Sequence, residues 1–169
     1  MVEKGYAEKD NMCIVGASYG GYAALMATVK TPDLFKCAVS FAGVSSLKHV
    51  VIHSRRFLNN EFVKNQFGDD DDDLEARSPY YNAKRIKTHI LLVHGEEDRI
   101  VPPLHSRYMA DELEDYGKAF KYVELESGDH HLSIQRNRHL FFKEMDSFLD
   151  KYLAPSGADS AKATVASDS

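Results

Sequence analysis

At 169 residues the chain has the length of one domain, and 43% hydrophobic residues is an ordinary globular share, enough for a packed core. With 21 basic against 26 acidic residues the formal net charge is -5, without the basic excess of a nucleic-acid binder. No stretch approaches the roughly 18 consecutive apolar residues of a membrane helix, so neither nucleic acid nor membrane is an expected partner.

The first residues, Met1 to Tyr6, contain no apolar core of a signal peptide. The default compartment is therefore the cytoplasm, with export left open for a longer parent protein. The first strand signal is Met12 to Val15, followed by Gly16-Ala17-Ser18-Tyr19-Gly20-Gly21 and an alanine-rich helix from Gly21 to Lys30 that stops at Thr31-Pro32. Cys37 to Phe41 and Ile90 to His94 are further apolar runs. Like Met12 to Val15, they suit strands buried on both faces of a parallel sheet. The stretch from Leu47 to Arg85 is mixed, and its Asp69 to Asp73 run reads as a hydrated loop because it lacks the spaced ligands and glycine of a calcium loop.

Leu104 to Tyr116 carries Met109, Leu113 and Tyr116 on one helical stripe, with Gly117 as its cap. Phe120 to Leu125 alternates with Lys121 and Glu124, as an edge strand would. Arg138 to Tyr152 aligns Phe141, Met145, Phe148, Leu149 and Tyr152 on one face. Alternating strands and helices predict an α/β fold with a mostly parallel sheet of about four strands. Ala154 to Ser169 is small, polar and aperiodic, and its composition predicts a disordered tail after a folded region 1–153. Cys13 and Cys37 lie in apolar runs, and two cysteines are too few for a disulfide scaffold, so reduced core thiols are expected.

The segment 16–21 has the strand-before, helix-after setting of a G-x-S-x-G nucleophile elbow. The tight turn predicts that side chains at 16 and 20 would clash, leaves the Ser18 hydroxyl at the carboxyl edge of the sheet, and aims the Tyr19 backbone N–H at a developing oxyanion. A serine needs a base, and the base an orienting acid. The strand ending at His94 runs into Gly95-Glu96-Glu97-Asp98, where three acids compete. The next strand ends in Gly128-Asp129-His130-His131, which supplies a histidine on the same rim. Serine, then acid, then histidine is the chain order of α/β-hydrolases.

Four stretches resemble the carboxyl-terminal half of the catalytic domain of the prolyl oligopeptidase family of serine peptidases. They are G-A-S-Y-G-G-Y-A-A-L at 16–25, S-P-Y-Y-N-A-K-R-I at 78–86, V-H-G-E-E-D-R-I-V-P at 93–102 and G-D-H-H-L-S at 128–133. The resemblance implies a partial α/β-hydrolase fold. It puts the acid on Asp98 in H-G-x-x-D and the base on His130 after the Gly-acid pair. It further implies an oligopeptide substrate, an acyl-enzyme, and no cofactor or metal. Only about a dozen residues precede the elbow strand here. The family's propeller-like domain, the first half of its sheet and the loop that donates the second oxyanion N–H would lie upstream. The expectation is a fragment of reduced activity whose Met12 to Val15 edge favours self-association. An esterase on the same triad, or an inactive piece acting through assembly with another chain, are the alternatives. Of the remaining candidates, Arg55-Arg56 and the histidines 49, 53, 89, 105 and 139 read as solvated or packing residues. His94 reads as a structural hydrogen-bonder. Tyr19, Tyr22, Tyr80 and Tyr81 read as pocket wall or core.

Overall fold

The computed structural model describes residues 2–6, 8, 10–55 and 60–153. Four strands, β1 (Cys13–Ala17), β2 (Cys37–Phe41), β3 (His89–Gly95) and β4 (Phe120–Leu125), form one parallel sheet in the order β1-β2-β3-β4. Between and after them run α1 (Tyr19–Lys30), α2 (Leu47–Ser54), α3 (Asn60–Phe67), α4 (Asp71–Ala76), α5 (Leu104–Asp115) and α6 (Gln135–Leu153).

The central strands are continuously apolar because helices cover both faces of the sheet. On one face Ala38, Ile90 and Leu92 pack against Leu25, Met26 and Val29 of α1 and Met109 and Leu113 of α5. On the other, Val39, Phe41, Leu91 and Val93 meet Phe141 and Phe148 of α6. Adjacent residues of β3 therefore feed opposite cores, as the two-residue period of a strand requires. β2 is buried throughout, but β1 is not buried on both faces as its apolar run led one to expect: it alternates between half-buried and exposed, and Val15 is 48% exposed. A separate small core, Leu47, Val51 and Leu74 with Val63 and Phe67, holds α2, α3 and α4 together.

Two further expectations are corrected. The Asp69 to Asp73 run is not a loop: Asp70 caps α4 by accepting from the Asp73 N–H at 2.8 Å, and Asp71, Asp72 and Asp73 occupy its first turn. Carboxylates there complement the unpaired N–H groups and the positive end of the helix dipole. Lys48 of α2 bridges to Asp71 and Glu75, which fixes α4 against α2. The cysteines are not free thiols: Cys13 and Cys37 form a disulfide. They are direct partners across β1 and β2 with Cα atoms 4.6 Å apart, inside the roughly 4.4–6.8 Å span of disulfides. Strand register, which an apolar run does not reveal, brings them together. The tail 154–169 lies outside the described residues.

Candidate active site

Ser18 stands between the end of β1 and the start of α1 with φ 55° and ψ -119°, backbone that a side-chain-bearing residue rarely adopts. Its N–H donates to the Phe41 carbonyl at 2.8 Å, and its own carbonyl accepts from Tyr22 N–H at 3.1 Å. These bonds hold the turn from both sides. Gly16 is required, since a Cβ there would lie 2.0 Å from the Gly20 carbonyl oxygen. Gly20 is not, because a Cβ there meets nothing within 4 Å, which corrects half of the expected steric rule. The second tight glycine is Gly21, whose Cβ would sit 2.8 Å from the Gly43 Cα. Beneath that contact, the buried Ser40 hydroxyl has no hydrogen-bond partner among the described residues. Tyr19 opens α1, so its N–H has no partner within the helix.

Of the three competing acids, Asp98 is the one turned inward. It is 4% exposed; its Oδ1 accepts from the Ile100 and Val101 N–H groups, both at 2.9 Å, and its Oδ2 accepts from His130 Nδ1 at 2.7 Å. Glu96 instead accepts from the Ser127 N–H at 2.9 Å. The acid and base loops are bound to each other. Glu96 N–H donates to the Leu125 carbonyl at 3.0 Å and Glu97 N–H to the Gly128 carbonyl at 2.8 Å. A Cβ on Gly95 would lie 2.5 Å from the Gly128 oxygen. The base loop itself is bent at Ser127 (φ 53°) and Leu132 (φ 54°). Asp129 closes it by accepting from Ser133 and His131 N–H groups, and the bond to Ser133 holds the Asp129 carboxyl below the usual carboxylate range.

His130, not His131, meets the acid. His131 is exposed and turned edge-on to the His130 ring at 5.4 Å. Because Asp98 accepts from Nδ1, neutral His130 has its Nε2 lone pair free to take a proton. No hydrogen bond joins Ser18 Oγ to His130. Ser18 follows β1, and His130 follows β4 at the opposite edge of the sheet. In unliganded sites such bonds are often long and tighten only with substrate.

Two adjoining clefts open near the acid. One, of about 340 Å³, is walled by Val44, Val50, Val63, Ile100 and Val101. The other, of about 380 Å³, is walled by His49, Ile52, Leu104 and Tyr108, and the two share His53, Pro102 and His105. Burial pushes the His105 pKa down to about 4, and burial likewise lowers that of His49, so both rings are neutral at pH 7. Neither cleft was legible from spacing, because the residues that wall each come from segments far apart along the chain. Tyr19 pairs with Tyr22 and Tyr80 with Tyr81, and none of these four lines either cleft. Tyr80 packs against His49 and Tyr108. Arg55 is exposed at the end of α2, and Arg56 lies outside the described residues. Among the described residues no group of three or more His, Cys, Asp or Glu side chains could hold a metal ion, and no helix is long and apolar enough to cross a membrane.

The model of the prolyl oligopeptidase family (Peptidase_S9) matches residues 1–156. The chain belongs to the prolyl oligopeptidase family. It is 28% identical to dipeptidyl aminopeptidase BIII of Pseudoxanthomonas mexicana over 159 residues, which cover 90% of this chain and 23% of that protein. Its fold superposes on a Mycobacterium tuberculosis puromycin-hydrolyzing peptidase with a TM-score of 0.82 and 26% identity, covering 90% of this chain and 23% of that one. An acylaminoacyl peptidase in complex with Z-Gly-Gly-Phe-chloromethyl ketone matches with a TM-score of 0.75 and 28% identity, over 87% of this chain and 24% of that one. The chain thus spans about a quarter of the length of these relatives, and the two solved structures share its α/β fold.

Proposed function

We propose that this chain carries the serine-type hydrolytic machinery of an oligopeptide-cleaving peptidase, with Ser18 as nucleophile, His130 as general base and acid, and Asp98 as the group that orients His130. The observation that carries the reading is the 2.7 Å Asp98–His130 bond on a rim shared with a strained serine turn. Ser18 Oγ attacks the scissile carbonyl carbon while His130 Nε2 takes its proton. The carbonyl oxygen becomes an oxyanion facing the Tyr19 N–H. Collapse expels the amine, which leaves with the proton from His130, and water then releases the acyl group by the same steps in reverse roles. Asp98 keeps the proton on His130 Nδ1 and stabilises the imidazolium. The valine-walled cleft beside Val101 suits an apolar side chain of the acyl half.

Residues 1–153 correspond, in this reading, to the part of the relatives' catalytic unit that bears elbow, acid and base. We infer slow turnover for the chain alone: among the described residues Tyr19 is the one N–H assigned to the oxyanion, and going without a second donor costs on the order of 10²–10³ in rate. A second reading, assembly through the free edge of β1, is favoured by the 48% exposure of Val15 and the absence of a Ser18–His130 bond. A fluorophosphonate probe that labels activated serines tests the first reading. Labelling of the wild-type chain, lost in Ser18→Ala, is expected, and equal labelling of both would overturn it. Light scattering across a concentration series tests the second, which a monomer of 19.0 kDa at every concentration would rule out.

A further inference from the structure

His94 is fully buried at the end of β3, and nothing in the acyl-transfer steps uses it. Its ring lies between three elements. Nε2 is 2.8 Å from the Val101 carbonyl oxygen and 3.3 Å from Asp98 Oδ2, and Nδ1 is 2.7 Å from Ser106 Oγ on α5. A carbonyl can only accept, so Nε2 carries the proton. Burial is the largest influence on the ring and lowers its pKa from the ordinary value, so the imidazole is neutral and Nδ1 is a bare lone pair. The Ser106 hydroxyl therefore donates to Nδ1, and that bond fixes which nitrogen faces Asp98.

The consequence falls on the carboxylate. Asp98 Oδ1 is held by the Ile100 and Val101 amides, and Val101 is also the residue whose carbonyl His94 grips. Oδ2 sits between two imidazoles, His130 at 2.7 Å and His94 at 3.3 Å. Rotation of the carboxylate away from His130 would break the amide bonds and bring Oδ2 away from the His94 N–H dipole.

We propose that His94 is a positioning residue of the acid–base pair: held by Ser106 with its proton on Nε2, it clamps the Val101 carbonyl and the Asp98 carboxylate so that Oδ2 stays aimed at His130. The role of His130 in it rests on the function proposed above, but the clamp can be read without substrate or turnover. The readout is the proton on His130 Nδ1 in the full chain, observed by nitrogen-edited NMR as a downfield resonance, together with its exchange with water. In the wild type the resonance is expected to be visible and slow to exchange. His94→Phe keeps the ring's bulk and removes its polar atoms, and the resonance should be lost. His94→Gln, whose amide N–H can reach the Val101 carbonyl, should restore it. Ser106→Ala should leave it visible with exchange about tenfold faster, the equivalent of one lost hydrogen bond. A His130 resonance unchanged in both His94→Phe and Ser106→Ala overturns the proposal. If His94→Phe does not fold, Ser106→Ala decides alone, and unaltered exchange in it overturns the clamp. Probe labelling of Ser18 is scored separately, so failure of the catalytic reading leaves a distinct signature: the clamp intact and the serine inert.

Discussion

The two edges of the candidate site are built differently. On the β3–β4 side the acid and base loops are bonded to each other, Asp98 is 4% exposed, and its Oδ1 and Oδ2 accept three hydrogen bonds. On the β1 side the serine turn is strained, its strand is half exposed, and Ser18 has no bond to the base. What holds that side is backbone: the bond from Ser18 N–H to Phe41, the close seating of Gly21 on Gly43, and the Cys13–Cys37 disulfide to β2. The acid and base loops leave adjacent strands and bond each other directly, whereas the serine turn leaves β1, which β2 separates from the acid strand, and must be fastened through β2.

The sharpest way to break this comparison is to uncouple the two sides. Asp98→Asn leaves shape intact but lets the His130 proton take the wrong nitrogen, and the rate of probe labelling at Ser18 should fall by roughly 10⁴-fold. An unchanged rate would mean that the acid–base pair does not act on Ser18 at all. The next effect belongs to the serine side. Cys13 and Cys37 are 24 residues apart in sequence, and reducing their disulfide should lower unfolding free energy by about 3 kcal/mol, with hydrogen exchange rising first in β1. Exchange rising first in β3 would reverse the assignment of the weaker edge.

The acid side should show its own weakness in acid. Burial lowers the His105 pKa from 6.5 to about 4 and lowers that of His94 as well. Between those values the unfolded chain binds more protons than the folded one. Stability is therefore complete above about pH 6.5 and is lost as pH falls towards about 4, by about 1.4 kcal/mol per pH unit for His105 alone. Urea midpoints measured across that window check the slope, and His105→Phe should flatten it. The smallest contrast lies within the elbow. Gly20→Ala fills open space in α1 and should stabilise by about 0.5–1 kcal/mol, whereas Gly16→Ala meets the Gly20 carbonyl and should cost about 1–3 kcal/mol. Equal effects in thermal melts would show that the turn relaxes more than its geometry suggests.

Much of the fold was legible in the chain because its signals are local. Apolar runs at Cys37 to Phe41 and around Ile90 to His94 marked strands covered on both faces, and Gly117, at φ 60°, ended α5 as its position suggested. The elbow was legible too, since a strained turn needs Gly16 and a helix start within six residues. Spacing did not choose the acid, since Glu96, Glu97 and Asp98 are equivalent by it; the family resemblance put it on Asp98, and what separates the three in the structure is that the Ile100 and Val101 amides fold back onto one carboxylate. The aspartate run could have been read as a helix start, because Asp70 followed by acids in the first turn is a capping pattern.

By itself, then, the sequence determined the alternation of strands and helices, the serine turn and the order of its chemical groups. All of these follow from contacts among residues close along the chain. Only the tertiary structure decided that Cys13 faces Cys37, that Gly95 must be glycine for the acid and base loops to touch, and that Asp98 lies between His130 and His94. Those outcomes depend on strand register and loop closure, which arise from packing of segments tens of residues apart and leave no periodicity to read.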